Sequence, residues 1–123
     1  MLRTTKNPYE LKFDRFYETQ KLKNGIEVLN IESKCPIVSL SVFIKTGSVD
    51  EREGHSGAAH FLEHLHFKGT SKRPKDHLEI EIEDNGGSLN AFTTREYTCY
   101  LLEMPNSNAE WGIELISDLL RNS

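Results

Sequence analysis

Apolar and polar residues alternate most regularly over residues 37 to 45, where Val38, Leu40, Val42 and Ile44 share one side. A period of two in a run rich in Val, Ile and Phe predicts a half-buried strand. Residues 26 to 31 mostly alternate as well, and residues 17 to 22 read as the start of a strand before them. Asn24-Gly25 between these runs is a hairpin turn signal, and Lys34-Cys35-Pro36 breaks the chain before the next strand. Thr46-Gly47-Ser48 closes the 37 to 45 strand, and a polar loop with Gly54 and Gly57 follows. Ser56 is placed to cap a helix that runs through Phe67, with Gly69 as its C-terminal stop.

Residues 76 to 85 carry two patterns. Leu78, Ile80 and Ile82 alternate like a strand, but Asp76, Glu79, Glu81 and Glu83 favour a helix, and Gly86-Gly87 follows as a stop. A helix is the prediction. Residues 88 to 93 and 96 to 104 read as two strands joined near Thr94-Arg95, with Pro105 ending the second. Ser107 and Glu110 have capping-box spacing, and Trp111, Leu115, Ile116, Leu119 and Leu120 recur at helical spacing over residues 108 to 121. Strands, helix, helix, strands, helix is the order of an α+β fold, a largely antiparallel sheet with helices packed on it.

Composition narrows the function classes. A 123-residue chain with 37% apolar and 28% charged residues suits one globular domain. A formal net charge of -4 argues against a nucleic-acid binder, which needs a basic face. No apolar run reaches the length of a membrane span. Cys35 and Cys99 make no CxxC pair and read as small buried residues of a reducing compartment, with a bridge between them left open. Residues 1 to 18 read as an N-terminal extension. The basic, hydroxylated start Met1 to Lys6 resembles a transit peptide, but Glu10 and Asp14 interrupt the pattern, so the extension is either a short targeting segment or disordered.

The chemistry concentrates at His60-Phe61-Leu62-Glu63-His64. One helical turn is about 3.6 residues, so His60 and His64 project from one face and can share a zinc ion. Glu63 lies on the same side, offset, where a carboxylate can reach a metal-activated water as general base. With five His and fourteen Glu in the chain, shuffling produces His-x-x-Glu-His only about 2% of the time, so chance is a poor account. Ala58, Ala59, Phe61, Leu62 and Leu65 are expected to pack the rest of the helix rigidly. His55, His66 and His77 read as ordinary solvated or half-buried side chains, and Glu79, Glu81 and Glu83 as a solvated helix face. Residues 90 to 93 are either an edge strand open to an extended peptide or an inner strand.

These residues resemble a family. HFLEHLHFKGT over residues 60 to 70 is similar to the active-site helix of the pitrilysin-type inverted zincins, the H-x-x-E-H metallopeptidases. Leu22-Lys23-Asn24-Gly25, Thr46-Gly47-Ser48, Gly57-Ala58-Ala59 and residues 89 to 98 extend the resemblance to the C-terminus. Phe67-Lys68-Gly69-Thr70 and Thr94-Arg95-Glu96 look like the processing-peptidase branch. The resemblance implies zinc on His60 and His64, Glu63 as the catalytic base, and substrate backbone pairing at Asn90, Ala91 and Phe92. It implies a zinc metalloendopeptidase that removes presequences from proteins imported into mitochondria or a related organelle, acting in the mitochondrial matrix or that organelle with a related, non-catalytic alpha subunit. A third ligand, a glutamate, is then expected beyond Ser123, with residues 19 to 123 the N-terminal portion of the metallopeptidase domain. The same fold also serves non-catalytic core subunits of the respiratory cytochrome bc1 complex, which generally lack an intact zinc motif, and general peptide-degrading relatives.

Overall fold

In a computed structural model, residues 17 to 123 are described. They fall into two compact units that divide between Cys35 and Pro36. In the first, β1 (Tyr17–Lys21) pairs antiparallel with β2 (Glu27–Ile31), Lys21 opposite Glu27. The expected turn is there: Gly25 takes a φ of +90°, and the Asn24 side chain accepts the Ile26 N–H at 3.2 Å.

The second unit holds β3 (Ile37–Ile44), α1 (Ala58–His66), α2 (Lys75–Asp84), β4 (Ser88–Thr93), β5 (Thr98–Pro105) and α3 (Ala109–Asn122). Its sheet has the order β3-β5-β4, antiparallel throughout. Register sets the faces. Val42, Tyr100 and Ala91 lie side by side, as do Leu40, Leu102 and Leu89. This side meets Leu78 and Ile82 of α2 and Leu115, Ile116 and Leu119 of α3 to form the core. Leu102 and Leu115 are fully buried, and each such side chain contributes about 1.5–3 kcal/mol by leaving water. Ser39, Ser41, Ser88, Asn90 and Glu103 face the other way and are exposed. On that outer side Phe43 and Phe92 flank Cys99 in the register, and Tyr97 meets both rings edge-on, at 5.6 and 6.2 Å. Cys99 is 2% exposed, and burial pushes its thiol pKa up. Cys35, expected to be buried, is an exposed free thiol.

A polar hub fastens the segment after α1. The Arg73 guanidinium donates to Glu81 of α2 at 2.9 Å and to Glu114 and Asp118 of α3 at 2.6 and 2.7 Å. The Thr70 hydroxyl donates to Asp118 at 2.7 Å, and the Trp111 indole N–H to Glu81 at 2.7 Å. Bonds from Asn122, Thr70 and Arg73 hold the Asp118 carboxyl down at about 2. Glu79 and Glu83 are exposed as expected, but Glu81 belongs to this hub rather than to a solvated face. A carboxylate near an arginine and an indole N–H exchanges water for fixed donors, which its neighbours in sequence do not reveal.

Two predicted caps do not form. Helix α1 starts after Gly57, not at Ser56, and no cap-residue side chain bonds its first turn. Asn108 is the N-cap of α3, with a short 3-10 turn, Asn106–Asn108, ahead of it. Ser107 bonds the Asn108 side chain at 3.1 Å instead of closing a capping box with Glu110. No helix among the described residues is long and apolar enough to cross a membrane.

Candidate functional site

Helix α1 brings His60 and His64 onto one stripe, as the spacing requires. Their Nε2 atoms lie 2.8 Å apart and the rings stack with centroids 4.7 Å apart at 25°. Both imidazoles are exposed, whereas Glu63 between them is 7% exposed. One ligand atom from each of the three lies within 4.8 Å of the others, the one such metal-type cluster among the described residues.

The donor set fits a zinc ion. Two exposed imidazole nitrogens side by side offer two of the N ligands that zinc takes readily, and the nearby Glu63 carboxylate is placed for a bound water rather than as a ligand. A tetrahedral ion with bonds of about 2.05 Å separates two nitrogens by roughly 3.3 Å. The observed pair sits half an ångström closer, a hydrogen-bonded imidazole pair that a small rotation of either ring would open.

Glu63 is oriented from the sheet. The Thr93 hydroxyl, at the end of β4, donates to Glu63 Oε2 at 2.5 Å. A short bond to a buried carboxylate is among the stronger kinds. Beside it, Tyr100 Oη and His66 Nδ1 are 2.7 Å apart, with the rings edge-on. Burial, and then the Glu63 charge, push the Tyr100 phenol up to about 12. Burial lowers the His66 imidazole below its ordinary range. His66 is therefore half-buried against the sheet, off the ligand stripe, while His55 and His77 are exposed and outside the cluster.

The helix is held at its start from a distance. Glu51 accepts the N–H groups of Gly57 and Ala59 at 2.8 and 2.9 Å, and these bonds lower its pKa. A glutamate six to eight residues upstream thus fills the role expected of Ser56. Gly57 takes a φ of +88°, the left-handed region open to glycine at little cost. The expected rigid packing of the apolar residues is corrected in part: Phe61, Leu62 and Leu65 are 65%, 54% and 41% exposed. Helical geometry turns them away from the sheet that receives Glu63 and His66.

Strand β4 is an edge of its sheet among the described strands. Ala91 lies on the helix-bearing face with Thr93, and Asn90 and Phe92 on the outer face. The Ala91 N–H is bonded to the Asn90 side chain at 2.9 Å, so that donor is spent locally and not on β5. Sequence reasoning missed Tyr100 and Glu51 as parts of the site, and placed Thr93 in the 90 to 93 strand but not as the partner of Glu63. Thr93 was within reach, because strand parity puts it on the face of Ala91, toward α1.

This fold is that of a known class. The model of the insulinase family (peptidase family M16) matches residues 27–123, and the chain belongs to that family. Among its relatives is the mitochondrial-processing peptidase subunit beta of Dictyostelium discoideum, 42% identical over 98% of this chain and 26% of the relative. Another is subunit 1 of the rat (Rattus norvegicus) cytochrome b-c1 complex, 43% identical over 82% of this chain and 21% of the relative. A crystal structure of a protease from Helicobacter pylori superposes with a TM-score of 0.82 at 31% identity, covering 88% of this chain and 26% of that one. The chain thus spans about a quarter of the length of the relatives it matches.

Proposed function

We propose that the chain carries part of the catalytic site of a zinc-dependent metalloendopeptidase that removes N-terminal presequences from proteins imported into mitochondria. The observation that carries the reading is the convergence of His60, His64 and Glu63, with Thr93 holding the carboxylate. His60 and His64 hold the zinc, and the third protein ligand is a glutamate following Ser123. When bound, zinc supplies Lewis acidity, activating a water and polarising the scissile carbonyl. Glu63 takes the proton of the attacking water and passes it to the leaving amine. Thr93 keeps Oε2 turned toward the sheet, so the other carboxylate oxygen is left for proton transfer. The peptide backbone adds to the free edge of β4 at Asn90, Ala91 and Phe92, where a substrate carbonyl replaces the Asn90 side chain on the Ala91 N–H. The partner is a related, non-catalytic alpha subunit, and the compartment is the mitochondrial matrix. With two ligands and a base, the 123 residues by themselves bind zinc weakly and cut nothing.

The identity to a cytochrome b-c1 subunit favours a second reading, a non-catalytic core subunit of that complex. Against it stands the intact cluster, since a structural subunit has no use for a buried carboxylate aimed between two exposed imidazoles. Metal analysis and cleavage of a presequence peptide by the full-length protein with its partner separate the two. Glu63→Gln is expected to keep one zinc and lose cleavage, and His60→Ala to lose both. Retained cleavage by Glu63→Gln would remove Glu63 from its role, and a wild-type protein without zinc would leave the core-subunit reading standing.

A further inference from the structure

Helix α1 is tied to β4 at two places, and only one of them is the Thr93–Glu63 bond. The other runs through the segment before the helix. Ser48 and Val49 donate their N–H groups to the carbonyls of Thr94 and Arg95 at 3.1 and 2.9 Å. Gly47 lies flush against that turn: a Cβ there would sit 2.5 Å from the Arg95 carbonyl oxygen and 2.6 Å from that of Thr94. Asp50 closes the 3-10 turn Ser48–Asp50 by accepting the Gly47 N–H at 3.0 Å. Glu51 comes next, and its two carboxylate oxygens take the Gly57 and Ala59 N–H groups, one each. Ala59 immediately precedes His60. The contacts form a closed ring: β4, its turn at Thr94-Arg95, residues 47 to 51, the first turn of α1, Glu63, Thr93 and β4 again.

We infer that Glu51 is a positioning residue for the zinc ligands, holding the first turn of α1 against the turn that ends the proposed substrate strand. The inference rests on the zinc reading of the site. A helix start leaves unpaired N–H groups, and α1 has no side-chain cap of its own to bind them. A carboxylate suits two divergent donors because both its oxygens accept. A carboxamide offers one acceptor and turns an NH2 toward the second donor, and an aspartate is one methylene too short to span both. Without Glu51 the first turn is free to fray, and His60 lies in it. His64, deeper in the helix, keeps its place, so the two nitrogens lose their mutual geometry.

The test uses the full-length protein with its partner subunit, comparing wild type, Glu51→Gln and Glu51→Ala. Zinc affinity is measured by chelator competition, ligand geometry by the visible spectrum of the cobalt(II)-substituted protein, and turnover on a presequence peptide. Supporting groups around metal ligands typically cost ~10–100-fold in affinity or activity when altered. Glu51→Gln is expected near the lower end and Glu51→Ala near the upper. The cobalt bands should shift, and kcat should fall with KM within about twofold, because β4 itself is untouched. Wild-type metal affinity and an unchanged cobalt spectrum in Glu51→Gln would overturn the inference, even with a lower melting temperature, since Glu51 would then be a cap for stability alone. A wild-type protein that takes up neither metal overturns the zinc reading and this inference with it, whereas metal uptake by wild type with an insensitive Glu51→Gln overturns only the latter.

Discussion

Replacing Thr93 by Val exchanges a hydroxyl for a methyl of nearly the same size, and so isolates one hydrogen bond. Thr93 is half-buried, and its hydroxyl is the one hydrogen-bond partner of the Glu63 carboxylate among the described residues. Glu63 is 7% exposed, so water cannot readily take the place of the lost donor. A hydrogen bond to a charged group contributes about 1.5–3 kcal/mol net. If the proposed base depends on that bond for its orientation, the full amount appears in the barrier, a fall in kcat of roughly 10- to 150-fold. The metal ligands are not touched, so zinc content should remain at wild type, and KM should stay within about twofold. Steady-state cleavage of a presequence peptide by the full-length protein, with metal analysis of the same samples, measures all three. Thr93→Ser restores the donor and should recover most of the rate. The reasoning fails if Thr93→Val turns over within twofold of wild type, or if Thr93→Ser is as slow as Thr93→Val.

Two further expectations concern stability. The Asp118 carboxyl is held at about 2 in the fold against an ordinary 3.8, so its contribution is fully present above that ordinary value and is lost as the pH falls toward 2. Asp118→Asn should therefore melt lower than wild type at neutral pH, with the gap closing between about pH 4 and 2, and a gap that stays constant in circular-dichroism melts would refute the assignment. Gly112→Ala should raise helix propensity by up to about 1 kcal/mol, but its new Cβ would overlap the sulfur of Met104, which is 1% exposed. Overpacking of that kind costs about 1–3 kcal/mol, so net destabilisation is expected in denaturant titration, and a neutral or stabilised variant would show that Met104 moves aside freely.

What the sequence made legible follows from the range of the interactions involved. Alternation located β3 to within one residue, because side-chain parity is local, and the turn near Thr94-Arg95 placed β5 to within two. The four-residue spacing of His60 and His64 likewise needs only one helical turn to become a cluster. Glu51 and Arg73 were invisible for the opposite reason, and for Thr93 parity gives the face but not the partner. Thr93 meets Glu63 across thirty residues and Arg73 meets Asp118 across forty-five, and no periodicity couples such positions. Ser56 and Ser107 show local signals being outcompeted. A glutamate from the preceding loop fills the first site, and an extra 3-10 turn displaces the second. The exposed Phe61, Leu62 and Leu65 show that apolar character in a helix does not say which face the rest of the chain covers.

The position of β5 between β3 and β4 also has a bearing on the order of assembly. The β4–β5 pair closes a short turn, with Thr93 opposite Thr98, a hairpin of the kind that forms in microseconds. The β3–β5 pair must instead bring Ile44 to Thr98, enclosing α1, α2, His60, Glu63, His64 and Thr93 in one long loop. Its closure entropy is met before any contact across it is gained. The imidazole pair is local to α1 and Glu63 reaches Thr93 within that loop, but residues 47 to 51 meet the Thr94-Arg95 turn only once the loop has shut. The anchorage of α1 through residues 47 to 51 is thus a long-range feature that waits on loop closure, whereas its imidazole pair is not.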